Sequence, residues 1–325
     1  MKVKTTVTKK QEKKEEHMNK NTFRKTTSLI AQFSRCIIAS LILVASLTPF
    51  AARAQSPQHL QNALTLASQL RQKGVAGVFT DAGGVELNRH GGDWTGSDLS
   101  FIRFADVANG ILPGNYTECA PFVSRVLQYT YGWNWSNYSW FDPEQNAWVT
   151  SNSPNSYKYV GYIKALVGFS QHITQLDQVQ PGDIVSMRDI GEQTGHTGIV
   201  VQVRLDSAKP YLSGLTNSDP KWAGTTYYEM DVVDSSASKH TNDSRQFYNG
   251  TTLIRETKGA GTGVMGVLVN ANMEVVAHSW SLPTSGNYSG TTSQKNSWLT
   301  SLHNRLKDQT ATGGREMVFG RLNLP

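Results

Sequence analysis

Three observations predict an α+β fold. After residue 55, apolar residues first recur at helical spacing. From Gln180 onward they alternate with period two, in short runs bounded by turn residues. No internal repeat relates the two halves.

The elements follow in order. Leu60, Ala63, Leu64, Ala67 and Leu70 make one apolar face of a helix over 57–73, which Gly74 stops. A Gly- and Asp-rich stretch covers 81–98. A second short helix is expected over 99–108, ended by Gly110 and Pro113. The next helix begins near Cys119, with Thr117 as its N-cap and Pro121 in its first turn, where a missing N–H costs little. Phe122, Val123, Val126 and Leu127 continue its buried stripe to Gly132. An aromatic loop occupies 133–148, and a further helix is expected over 157–169.

The turn Pro181-Gly182-Asp183 then introduces strands at 184–187, 196–203 and 227–234. A hairpin of 264–269 with 275–280 turns around Ala271-Asn272, and a last strand spans 317–322. Residues 281–312 read as a polar insertion with a helix near 298–306.

Composition fits a folded core: 38% of residues are hydrophobic, 17% are charged, and there are eight Trp. The formal charge of +6 is unevenly placed. Residues 1–54 hold 11 Lys+Arg against three acids (net +8), which leaves 20 basic and 22 acidic residues (net −2) in 55–325. The basic balance therefore gives no reason to expect a nucleic-acid partner.

The N-terminal segment has the layout of an export signal. A basic region precedes the apolar run 36–47, and Ala52-Arg53-Ala54 forms a small-residue cleavage site. That run of 12 is shorter than the roughly 20 residues of a membrane span. Met18 is an alternative start. The expectation is a signal peptide over 1–54, cleaved near Ala54, and a single domain over 55–325. Within that domain, 55–112 form an N-terminal helical extension and 281–312 an insertion. No stable membrane span is expected after cleavage. The product is exported, periplasmic or extracellular, with a bacterial host suggested by the Asn-x-Thr sequence at Asn115, where a glycan would crowd Cys119.

Cleavage leaves one cysteine, Cys119, which has no partner for an internal disulfide. At a helix N-terminus a thiol gains thiolate character, and main-chain N–H groups there can hold an oxyanion. A small buried core residue is the other reading of the same position. Of seven histidines beyond the leader, His196 opens a β-branched strand and is the candidate base, with His278 second. A base histidine needs an orienting acceptor. Asp231 and Asp234 point to opposite faces of the next strand, and Asp234, at its end, is preferred over a simple turn-capping role.

Cys119-Ala-Pro-Phe-Val, Gln180-Pro-Gly-Asp-Ile-Val and Gly195-His-Thr-Gly-Ile-Val-Val, in that order, resemble the papain-like cysteine peptidases of the NlpC and CHAP kind. The resemblance covers about 116–234. Ala120-Pro121 and the long interval between His196 and Asp234 depart from the family pattern, and 235–245 has no counterpart in it. The resemblance implies N-terminal helices carrying the nucleophile, packed on an antiparallel β-sheet or half-barrel. It also implies a Cys119 nucleophile, a His196 base and an Asp234 orienting group. The oxyanion would be held by the Cys119 N–H and a donor near Tyr116.

Trp133 and Trp135 would line the cleft or pack as a lid. With export, the resemblance implies hydrolysis of a peptide or amide bond, with peptidoglycan as substrate. An acyltransferase or amidase on another secreted substrate stays open, as does a non-catalytic wall- or glycan-binding protein. No cofactor is expected: His-Glu-x-x-His and phosphate-loop motifs are absent, and one cysteine cannot supply a cysteine-pair zinc site. The sequence does not reveal any inhibitor or immunity partner.

Overall fold

The computed structural model describes residues 56–91, 100–192, 194–210, 222–282, 306–309 and 314–324. They belong to one compact unit, Ser56–Pro325. The leader with its cleavage site, and the expected helix at 298–306, lie outside the described residues apart from Leu306. Among the described residues no helix is long and apolar enough to cross a membrane.

The chain is α+β, with few helices and mostly antiparallel strands. Helix α1 (Gln58–Val75) leads to a small sheet of β1 (Asn88–His90), β2 (Phe101–Arg103) and β3 (Gly114–Thr117). The expected helix at 99–108 is thus the short strand β2. Its Phe101–Arg103 run pairs with β3, and tertiary pairing overrides its weak local preference. The segment 55–112 is helical only in its first third.

Helix α2 (Cys119–Tyr131) starts as expected, but its N-cap is Glu118, not Thr117. The Thr117 hydroxyl donates instead to Asn115 Oδ1. Gly132 ends the helix in the left-handed conformation, φ 66°. The aromatic segment then forms the ribbon β4 (Ser139–Asp142) and β5 (Ala147–Thr150). Helix α3 (Ser156–Lys164) is capped by the Asn155 side chain. It stops short of the expected 169, because the chain turns through positive φ at Leu166 and Gly168 into β6 (Phe169–Ile173).

The main sheet comprises β6, β7 (Ile184–Asp189), β8 (Gly195–Pro210), β9 (Thr226–Ser236), β12 (Gly259–Val269), β13 (Val275–Ser279), β14 (Leu306–Asp308) and β15 (Arg315–Leu322). Their order is β14-β13-β12-β9-β8-β7-β15-β6, and all neighbours are antiparallel. A separate ribbon joins β10 (Gln246–Asn249) and β11 (Thr252–Glu256). The main sheet curls until its ends approach: Gln175, just past β6, bridges Glu274 in the turn before β13.

Both faces of the sheet are buried, so neighbouring apolar residues serve opposite cores. Ile184, Ile199, Val233 and Val318 face the helices with Leu60, Leu66, Phe122 and Leu127. Val185, Val200, Val232 and Met317 face the hollow of the curl with Met265 and Phe319. Burial on this scale contributes about 1.5–3 kcal/mol per large apolar side chain, and it fixes the register that places the site.

Candidate active site

The site forms where two central strands part. Toward the head of β8, its ladder with β9 ends at Ile199↔Val233. Beyond that point β8 stays paired with β7 to Gly195↔Arg188. In the same region β9 stays paired with β12 to Ser236↔Gly259. The start of α2 occupies the opening. Ser235 Oγ donates to the Thr117 carbonyl (2.7 Å), and the Thr197 main chain hydrogen-bonds the Cys119 sulfur. Gly195 is required at the turn into β8, since a Cβ there would lie 1.9 Å from the Met187 carbonyl oxygen.

Cys119, His196 and Asp234 are therefore brought together. Cys119 is a half-buried free thiol at the first residue of α2. No side chain caps this helix, and Pro121 has no N–H, so the main-chain donors left open at its start are those of Cys119 and Ala120. His196 Nε2 lies 2.7 Å from Asp234 Oδ2, which leaves Nδ1 as the ring nitrogen for the thiol. His196 and Cys119 lie close enough for each to shift the other's pKa.

Burial alone would push the thiol pKa up. Only together do the His196 charge and hydrogen bonds from His196, Ser156 and Thr197 outweigh it and hold the thiol below its ordinary value. Burial likewise disfavours an imidazolium at His196, but the Cys119 charge and the Asp234 hydrogen bond raise its pKa to about 9. Both shifts favour a thiolate–imidazolium pair.

Asp234 is fully buried and should resist ionisation. The His240 and Arg245 charges, with hydrogen bonds from His196 and His240, hold its carboxyl well below the usual range. His240 Nε2 lies 2.7 Å from the same Oδ2, and Arg245 Nη1 lies 3.1 Å from Oδ1. Both ring nitrogens of His240 face acceptors: Nδ1 meets the Trp280 carbonyl at 2.8 Å, and Nε2 meets the carboxylate. The ring donates to both acceptors only with both nitrogens protonated.

Asp243 completes the group. It accepts from Arg245 Nε and Nη2 (2.7 and 2.6 Å) and from the His240 main-chain N–H (2.7 Å). With that second proton on His240, three cations (His196, His240, Arg245) balance three anions (Cys119, Asp234, Asp243). Trp280 covers the pair of rings, 4.5 Å from His196 edge-on and 4.1 Å from His240.

On the other side of the sulfur runs a chain of hydroxyls. Ser186 Oγ and Thr197 Oγ1 are 2.8 Å apart, Thr197 donates to Ser156 Oγ (2.9 Å), and Ser156 Oγ lies 3.6 Å from Cys119 Sγ. The Ser186 hydroxyl donates to the Ser156 carbonyl (3.1 Å); with Thr197 donating to Ser156 and Ser156 donating onward, the last proton points at sulfur.

Sequence reading missed these partners. The 235–245 segment has no counterpart in the family pattern, and the glycine-rich run 259–263 precedes a strand, which speaks against a phosphate loop and offers no other role. The structure joins the two. A Cβ at Gly263 would lie 2.4 Å from His240 Cβ, and one at Gly261 would lie 2.7 Å from Arg245 Cγ. These alternate glycines clear one face of β12 for the segment that braces Asp234. A Gly-x-Gly at period two inside a strand was the available signal.

The remaining candidates lie elsewhere. Asp231 is on the opposite face, paired with Arg204 at 2.7 Å. His278 is buried in β13, and burial, then the Arg315 charge, push its pKa down to about 3, so the ring is neutral. Trp133 and Trp135 are packed into the core. Trp135 stacks 5.0 Å from Tyr162, and Trp133 stacks 5.3 Å from Tyr138. Tyr116 lies under the Arg89 guanidinium, 4.1 Å from its ring centre.

His196, Asp234 and His240 present ligand atoms within 4.8 Å of one another, a spacing that could hold a metal ion. The donor set does not suit one. Both Nε2 atoms are committed to one carboxylate oxygen, and a guanidinium faces the other.

Residues 90–248 match the family model described as "Putative amidase domain". The matched segment contains Cys119, His196 and Asp234, and also His240 and Arg245. The match supports an amidase-like family and a hydrolase of amide bonds, rather than the NlpC or CHAP peptidases in particular. No curated protein and no solved structure matches the chain.

Proposed function

We propose that this protein is an exported cysteine amidase whose substrate is an amide or peptide bond of bacterial peptidoglycan. The observation that carries the cysteine mechanism is the buried, ionised Asp234 on His196 Nε2, which keeps an imidazolium beside the Cys119 thiol. The fold reading is papain-like: a nucleophile-bearing helix on a curled antiparallel sheet, formed by one catalytic domain over 55–325. The amidase-like match supports the bond type. The leader over 1–54, removed after Ala54, supports the compartment and through it the wall substrate.

In this mechanism Cys119 Sγ attacks the carbonyl carbon, and the oxyanion is held at the start of α2. His196 passes its Nδ1 proton to the departing nitrogen. It then takes a proton from the water that cleaves the thioester. Asp234 holds the ring and its charge throughout.

Mass spectrometry of purified peptidoglycan treated with residues 55–325, beside the Cys119→Ala variant, tests the proposal. Fragments with newly freed carboxyl and amino ends are expected from the parent protein alone. Equal release by the variant would overturn the cysteine mechanism. Absence of release by both, with Cys119 still reactive, would overturn the wall substrate.

A further inference from the structure

His90 ends β1 in parallel register with Thr117, two residues before the nucleophile. Strand alternation decides which way it points. Arg89 faces outward, stacked on Tyr116. Asn88 faces inward and clasps the main chain of Ala260, donating to its carbonyl (2.8 Å) and accepting from its N–H (2.7 Å). His90 shares the face of Asn88. It lies beside the buried Thr117 and within electrostatic reach of His196, Asp234 and Arg245.

Its Nδ1 is shut off from solvent and has no partner among the described residues. That leaves Nε2, in a half-buried ring, as the nitrogen a substrate can reach. The ring is neutral: burial, and then the His196 charge, push its pKa down to about 4. At neutral pH it therefore offers one N–H and does not compete with His196 for the thiolate.

We propose that His90 is a second oxyanion donor, its ring N–H meeting the substrate carbonyl oxygen opposite the main-chain N–H of Cys119. This rests on the cysteine mechanism proposed above. As Sγ bonds to the carbonyl carbon, the π pair moves onto oxygen, which accepts both hydrogen bonds. Collapse returns that pair to C=O and expels the amine with the proton from His196. No proton leaves His90. A neutral, fixed donor of this kind acts on charge that develops during reaction and leaves the resting charge balance alone.

Two rates measured on residues 55–325, each taken over the Cys119→Ala background, separate the possibilities. Iodoacetamide alkylates the thiol by displacement at a saturated carbon and forms no oxyanion. p-Nitrophenyl acetate acetylates it through a tetrahedral oxyanion. His90→Ala is expected to slow acetylation about 100-fold and to leave alkylation within about twofold. His90→Gln, which restores a neutral donor of similar reach, should recover part of the acetylation rate.

Near-normal alkylation also reports an intact site in each variant. A parallel fall of both rates would make His90 a structural or thiolate-holding group and overturn the proposal, as would no change in either. If Cys119→Ala acetylates as fast as the parent, the cysteine mechanism itself fails and the His90 role with it.

Discussion

His196 stands between two surroundings built on different principles. On the sulfur side the partners are neutral hydroxyls, Ser156, Thr197 and Ser186, in a chain that ends at Sγ. On the carboxylate side they are formal charges: His240 and Arg245 lie 2.7 and 3.1 Å from Asp234, and Asp243 holds Arg245 at 2.6 Å. The difference follows from burial. Asp234 has no access to water, so only opposite charges keep it ionised. Cys119 is half-buried, and hydrogen bonds with one imidazolium suffice. The charged side therefore bears on folding and catalysis together, whereas the hydroxyl side tunes reactivity alone.

Asp234→Ala attacks the charged side directly and should have the largest effect. It leaves His240 and Arg245 unbalanced in the interior, and urea denaturation should show a loss of about 3–5 kcal/mol. Turnover should fall about 10⁴-fold. Asp234→Asn keeps the volume and removes only the charge. If it proved as stable as the parent, the charge-balance account of this side would be wrong.

His196→Ala reads the coupling between the two sides. In the parent, the alkylation rate of Cys119 should rise with a midpoint below the ordinary thiol value of about 8.5. Without the imidazolium, burial prevails and the midpoint should move above that value. An unmoved midpoint would mean that His196 does not hold the thiolate.

Thermal unfolding across pH tests the same charges through stability. Asp234, His90 (about 4) and His278 (about 3) have folded pKa values below their unfolded ones. The histidine contributions are complete above about pH 6.5 and are lost as pH falls toward 4 and 3; that of Asp234 is lost from about pH 4 downward. His196 has the opposite sign. Raised to about 9, it contributes fully below about pH 6.5 and loses that contribution as pH rises through 9. The melting temperature should peak near neutrality and drop by several degrees on either side. The Asp234→Asn variant should lose part of the alkaline limb, since the Cys119 charge, the larger cause raising His196, remains.

The smallest effect is expected from Ser156→Ala, which removes one neutral donor. Alkylation and turnover should fall about 3- to 10-fold, with unfolding free energy changed by about 1 kcal/mol or less. A loss as large as that of Asp234→Ala would erase the contrast between the two sides.

Much of this was legible in the residues. Leu60 to Leu70 at helical spacing gave α1, and the apolar runs after Gln180 marked strands, though a period of two did not show that Ile184, Ile199 and Val233 serve one core and Val185, Val200 and Val232 the other. Cys119 before a buried helical stripe, His196 at a strand head and Asp234 rather than Asp231 followed from local pattern, and the structure brings these three side chains together.

Other features were not legible. The short strand β2 was hidden because three residues carry too little periodicity to outweigh a helical pattern. Trp133 and Trp135 advertised a cleft and pack in the core, since an aromatic cluster has the same composition in either place.

By itself the sequence determined the order of helices and strands and the residue types that carry chemistry, because hydrophobic period and capping are local properties. Only the tertiary structure decided where β8 and β9 part, and that His240, Arg245 and two glycines of β12 converge on one carboxylate. It alone also set His90 beside Thr117, two residues from the nucleophile. These are non-local matters, set by register and by the need to balance charge away from water, and no single segment of the chain records them.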